Sequence, residues 1–119
     1  MGTFSEAAKN DMLDAITIDK LSLHSADPGV NGTANELSGG DPAYARKAAV
    51  YNAASGGERT LQADVVFDVP SGATVAYVVK WQSGSPDIYR GVDSVTNEVY
   101  AAQGTYTVKA GVSKLVITD

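Results

Sequence analysis

The side chains able to do chemistry are few and scattered along the chain. The only imidazole, His24, would have to anchor any Ser-His-Asp relay or multi-histidine metal site, and there is no cysteine to supply a thiolate. The GxSxG, HExxH and GxxxxGK[ST] patterns are all absent. His24 ends a short alternating segment, a position that allows an outward, solvated ring. Asp27, Asn31, Asn35 and Glu36 crowd one irregular stretch and could offer hard oxygen ligands to calcium. Their spacing is not that of an EF-hand, and turn formation uses the same residue types. Asp64 and Asp68 fall on one face of a predicted strand, where four residues separate them by roughly 13 Å. Glycosidase carboxylates lie about 5 to 9.5 Å apart, so a solvated face is the simpler reading. Tyr44, Tyr51, Tyr77, Tyr89, Tyr100, Tyr106 and Trp81 could build a sugar or single-strand platform, yet strands favour aromatics as packing residues anyway. The expectation is therefore no catalysis, no cofactor and no metal, with a carbohydrate-binding module or hydrolase as the minor alternative.

The whole chain sets the same bounds. Its 119 residues suit one domain, 1–119, and 44% hydrophobic with 19% charged residues is the balance of a globular protein. A formal net charge of -5 repels phosphate, which disfavours nucleic acid as a partner. The start MGTFSEAAKNDML lacks the basic and apolar parts of a secretory signal. No apolar run approaches the roughly 18 residues that span a bilayer, so no membrane association is expected.

The elements that must position these side chains are mostly strands. Thr3 and Glu6 have capping-box spacing ahead of a helix from about Phe4 to Ala15, within an N-terminal helical segment 1–17. Phe4, Ala8, Met12, Ala15 and Ile16 form its apolar stripe, which should cover one end of its own sheet or dock on a neighbouring subunit. Alternation then sets in at Lys20 to His24. The segment SADPGVNGTANELSGGDP reads as a long Gly/Asn/Pro loop over 25–43, a length usually reserved for function. Weak alternation returns from Arg46 to Asn52, and Ser55-Gly56-Gly57-Glu58 supplies a turn. Leu61, Ala63, Val65, Phe67 and Val69 form one clear core face. From Ala73 to Trp81 both faces are apolar, which implies a central strand or an outer face that meets a partner. Two shorter strands are expected near Ile88 to Val92 and Val95 to Ala101. Thr105 to Lys109 and Lys114 to Thr118 read as a hairpin around Gly111. About seven strands with frequent turns point to a mainly β protein: an antiparallel β-sandwich, with jelly-roll topology as a guess, and a short N-terminal α-helix.

The segment Leu21-Ser22-Leu23-His24-Ser25-Ala26-Asp27-Pro28-Gly29, then Asn35-Glu36-Leu37-Ser38-Gly39-Gly40, then Tyr44-Ala45-Arg46, resembles a family of small tailed-phage virion proteins. Ser25-Ala26 stands where that pattern has a Thr-Gly pair. The resemblance continues more loosely to Trp81. It implies a virion structural protein, made in the host cytoplasm and carried in the particle. Capsid decoration is the first expectation: a homo-oligomer binding the major capsid protein and stabilising the outer head lattice. A minor tail or tail-fibre protein bound to tail proteins is the alternative. The subunit-contact loop would comprise Asp27, Asn35, Glu36, Gly39, Gly40, Tyr44 and Arg46. The competing reading is that these residues hold the loop on its own domain, with Tyr44 as an amphipathic anchor and Arg46 paired with a carboxylate such as Glu36.

Overall fold

A computed structural model describes residues 4–116. Among the described residues one helix, α1 (Glu6–Asp14), precedes eight strands: β1 (Lys20–His24), β2 (Lys47–Ala48), β3 (Glu58–Thr60), β4 (Val65–Val69), β5 (Thr74–Gln82), β6 (Ile88–Val99), β7 (Gly104–Val108) and β8 (Lys114–Val116). All strand pairings among the described residues are antiparallel. A four-stranded sheet runs in the order β2-β1-β5-β6, while β3 pairs with β8 and β4 with β7 in two separate ribbons. The mainly β, antiparallel class with one short helix is as the alternation implies. Two ribbons stand where a jelly roll would have its second four-stranded sheet.

Between these layers lies the core. Leu21 and Leu23 of β1 and Val75 and Val78 of β5 face Leu61, Val65, Phe67, Val69 and Val108. Leu21, Leu23, Phe67, Val69 and Val75 are completely buried, each removing a side chain worth about 1.5–3 kcal/mol from water.

Differences from the sequence reading have local causes. The helix cap is Ser5, whose Oγ accepts from the Ala8 N–H at 3.1 Å; Thr3 lies outside the described residues. Leu13 is the buried helix residue and Phe4 stays half exposed, because α1 is docked largely by polar contacts. Asn10 Oδ1 accepts from Gly57 N at 3.0 Å, Asp14 Oδ1 from Ala54 N at 2.8 Å, and Arg59 donates to the Leu13 and Ile16 carbonyls at the helix end. The helix thus packs on its own chain. The Gly56-Gly57 turn it grips has positive φ at both residues, as a two-residue hairpin requires.

The run from Leu61 to Val69 is interrupted at 62–64. Leu61 exchanges backbone bonds with Ser113 and Gly111, and Asp64 Oδ1 accepts from Ala110 N at 2.8 Å, so Leu61 joins a different ladder from β4. The same bonds capture the turn around Gly111 and send β7 and β8 to different partners, so the expected final hairpin does not form; 117–119 lie outside the described residues. The two strands expected after Pro86 are one, β6, which pairs with β5 through two register shifts. β5 is central, between β1 and β6.

Candidate functional site

β1 and β5 have a second face, opposite the core. The register places Lys20 beside Trp81, Ser22 beside Val79 and His24 beside Tyr77, so these side chains share the outer face of the four-stranded sheet. The 25–46 loop lies across the part of that face built by β1 and β5. Gly32, at φ +74, seats its backbone against the Tyr89 ring, where any Cβ would collide.

His24 is fully buried there, contrary to the solvated position its strand allowed. Its Nδ1 lies 2.7 Å from the Ala34 carbonyl, which can only accept, so Nδ1 carries the proton. Ser22 Oγ accepts from Trp81 Nε1 at 2.7 Å and is 2.8 Å from His24 Nε2, to which it donates. Every polar atom of this trio is satisfied by the neutral ring. Burial lowers the His24 pKa from its ordinary value, outweighing the opposing Ala34 bond. The Ser-His pair has hydrogen-bonded geometry, yet both side chains are sealed from solvent.

Next to it, Glu36, Tyr44 and Arg46 converge. Arg46 Nε and Nη2 form a fork on Glu36 at 3.0 and 2.8 Å, and Nη1 reaches Asp87 Oδ2 at 2.9 Å. Lys20 Nζ holds the other Asp87 oxygen at 3.2 Å, and Gly84 N donates to that same atom at 2.9 Å. Tyr44 donates to Glu36 Oε2 at 2.8 Å and accepts from the Leu23 N–H at 2.9 Å, tying the loop to the β1 backbone. Its ring stacks on Phe67 with centroids 6.2 Å apart. Burial would raise the Glu36 pKa, but the bonds from Arg46 and Tyr44 hold it below the usual carboxylate range. The Gly84 N–H, with Lys20 and Arg46, does the same for Asp87.

The other four expected contact residues are exposed, and their side chains do not join this cluster. Asp27 Oδ1 accepts from Gly29 N at 2.8 Å, and Asn35, at φ +63, donates through Nδ2 to the Asp27 carbonyl at 2.9 Å. Gly39 offers its carbonyl to Tyr44 N at 2.8 Å, while Gly40 packs beside Gln103 and Pro70. Sequence reasoning found the Arg46–Glu36 pair but missed Asp87, Ser22 and Trp81. A periodicity in which Ser22 and His24 alternate with leucines inside a doubly apolar neighbourhood was the available signal for a buried polar face. No group of three or more metal-ligating side chains gathers among the described residues.

Fold and site together define a small antiparallel-β module whose most reactive-looking side chains are turned inward, onto their own loop. The profile of the family described as Podophage GP4 fiber I protein gp80 matches residues 4–85, well over half the chain, and the chain belongs to that family. It is thus a tailed-phage virion structural protein, associated with other virion proteins. No curated protein and no solved structure matches significantly.

Proposed function

We propose that the chain is a non-enzymatic structural component of the tail-fibre apparatus. The family match over 4–85 carries this reading, since it is a fibre family and gives no support to decoration of the head lattice, the first expectation above. The inward use of His24, Glu36 and Arg46 is in keeping with a structural role: they spend their hydrogen bonds on fixing a loop. Partners would be other fibre or tail proteins, with self-association among the copies. The test is to locate labelled copies in purified particles by electron microscopy and to count them per particle. A few copies at the fibres are expected; hundreds spread over the capsid lattice would overturn the proposal.

A further inference from the structure

The 25–46 loop is held unevenly. From Glu36 to Arg46 it is built into the fold: Leu37 N donates to the Leu23 carbonyl at 3.1 Å, the Leu37 side chain enters the core, and Tyr44 and Arg46 make the ties described above. Residues 26–34 are different. Among the described residues their hydrogen bonds stay within the segment or at its base, where Ser25 N donates to the Asn35 carbonyl at 3.0 Å, with one exception. The exception is the bond from His24 Nδ1 to the Ala34 carbonyl. Of this segment only Pro28 and Gly32 are buried, Gly32 against the Tyr89 ring. A surface segment with its ends pinned together and so little burial is the first unit to open when its fixing is disturbed.

Acid disturbs that fixing. A proton added at His24 Nε2 turns an acceptor into a second donor. Ser22 Oγ, which already accepts from Trp81 Nε1, would then accept from both rings, and its own hydrogen would lose its acceptor. The groups around the ring do not absorb the charge. Arg46 repels it, and Glu36, which attracts it, is already forked by Arg46 and bonded by Tyr44. Lys20 and Asp87 are bound to each other on the far side of that fork. Tyr77, paired with His24 on β5, adds only a phenol, and Asp27, the segment's own carboxylate, is turned onto Gly29 N. The Ala34 bond favours the charged ring, yet burial outweighs it. An imidazolium here regains water only if the segment lifts.

We propose that residues 26–34 form an acid-opened flap, closed at neutral pH by the uncharged His24 ring and lifted from His24 and Tyr89 when that ring takes a proton, while 36–46 and the core stay folded. Opening would bare an aromatic part of the outer sheet face that the flap covers in the closed state. This goes beyond the fibre assignment and does not depend on it.

The test is an NMR titration of the full chain from about pH 7.5 to about 5. It reads the Gly32 α-proton shifts, which the Tyr89 ring perturbs while the flap is down, beside the titration of the His24 ring. The ratio of open to closed flap should grow about tenfold for each pH unit below about 6.5 until the folded pKa is reached. Gly32 signals should move toward random-coil positions, while the Leu23 and Leu37 amides keep exchanging slowly. His24→Gln, whose amide can still donate to Ala34 but does not titrate, should keep the flap down throughout. Gly32→Ala, whose Cβ would strike the Tyr89 ring, should lift it at neutral pH and supply the open reference. Gly32 signals that stay put while His24 titrates, or a ring that takes no proton before the chain unfolds, would overturn the proposal. So would a pH response that survives in His24→Gln, or loss of Leu37 protection in step with the Gly32 shifts.

Discussion

The guanidinium of Arg46 lies 4.0 Å above the centroid of the Trp81 ring, while its edge forks onto Glu36. One side chain thereby clamps the returning end of the 25–46 loop against the central strand. A planar cation is required, because stacking and a bidentate grip cannot both be made by an ammonium. Arg46→Lys should destabilise the fold by about 1–3 kcal/mol although it preserves charge. Urea unfolding followed by Trp81 fluorescence measures this; an unchanged midpoint would show the clamp to be idle.

Tyr44 makes the neighbouring tie. Tyr44→Phe keeps the stack on Phe67 but strips the partner from the Leu23 N–H and one bond from Glu36. A cost of about 1–3 kcal/mol is expected, since a buried donor is left unmade. The readout is the same unfolding curve, with accelerated exchange of the Leu23 amide marking the site of loss.

How much of this was legible in the sequence depends on range. Strand β5, the turn at Gly57 and the Arg46–Glu36 pair were readable because alternation, turn chemistry and local charge pairing are short-range signals. Which strand follows which was not: β7 and β8 look like a hairpin until Leu61 and Asp64, far back in the chain, take hold of the turn between them. His24 was misplaced for a similar reason. Alternation assigns it a face, but only the loop arriving at Ala34 decides whether that face is wet.

The pH dependence follows from the same buried face. The folded pKa of His24 is depressed, so its contribution is fully present above the unfolded value of about 6.5 and is lost as pH falls from there toward the folded value. Glu36 and Asp87 are also depressed, so their contributions hold above about 4 and are lost at lower pH still. Urea midpoints should be flat above pH 7, decline from about 6.5 and fall again below about 4. His24→Gln should erase the first decline and leave the second. Stability that rises on acidification from pH 7 to 5 would contradict the assignment.

Gly39 and Gly40 separate two kinds of glycine requirement. Both have positive φ, at 87° and 96°, but a Cβ on Gly39 would meet nothing, whereas one on Gly40 would stand 2.7 Å from Gln103 Oε1 and 3.0 Å from Pro70 Cβ. Gly39→Ala should cost only backbone strain, about 1–2 kcal/mol. Gly40→Ala should cost more and loosen the contact with Gln103, read as a larger drop in melting temperature.

The loop's outer surface remains available to a partner even though its struts are not. Glu36, Tyr44 and Arg46 face the sheet, so Tyr44→Ala should reduce folding stability and particle incorporation together. Val30, between the exposed Asp27 and Asn35, is 92% exposed and anchors nothing in the fold. Val30→Glu should therefore leave the melting temperature within about 2–3 °C, surface changes of this kind being worth under about 0.5 kcal/mol. If the loop contacts another virion protein, the same change should cut the copies retained on particles assembled by phage carrying it. Full retention of Val30→Glu copies would confine the loop to holding its own sheet.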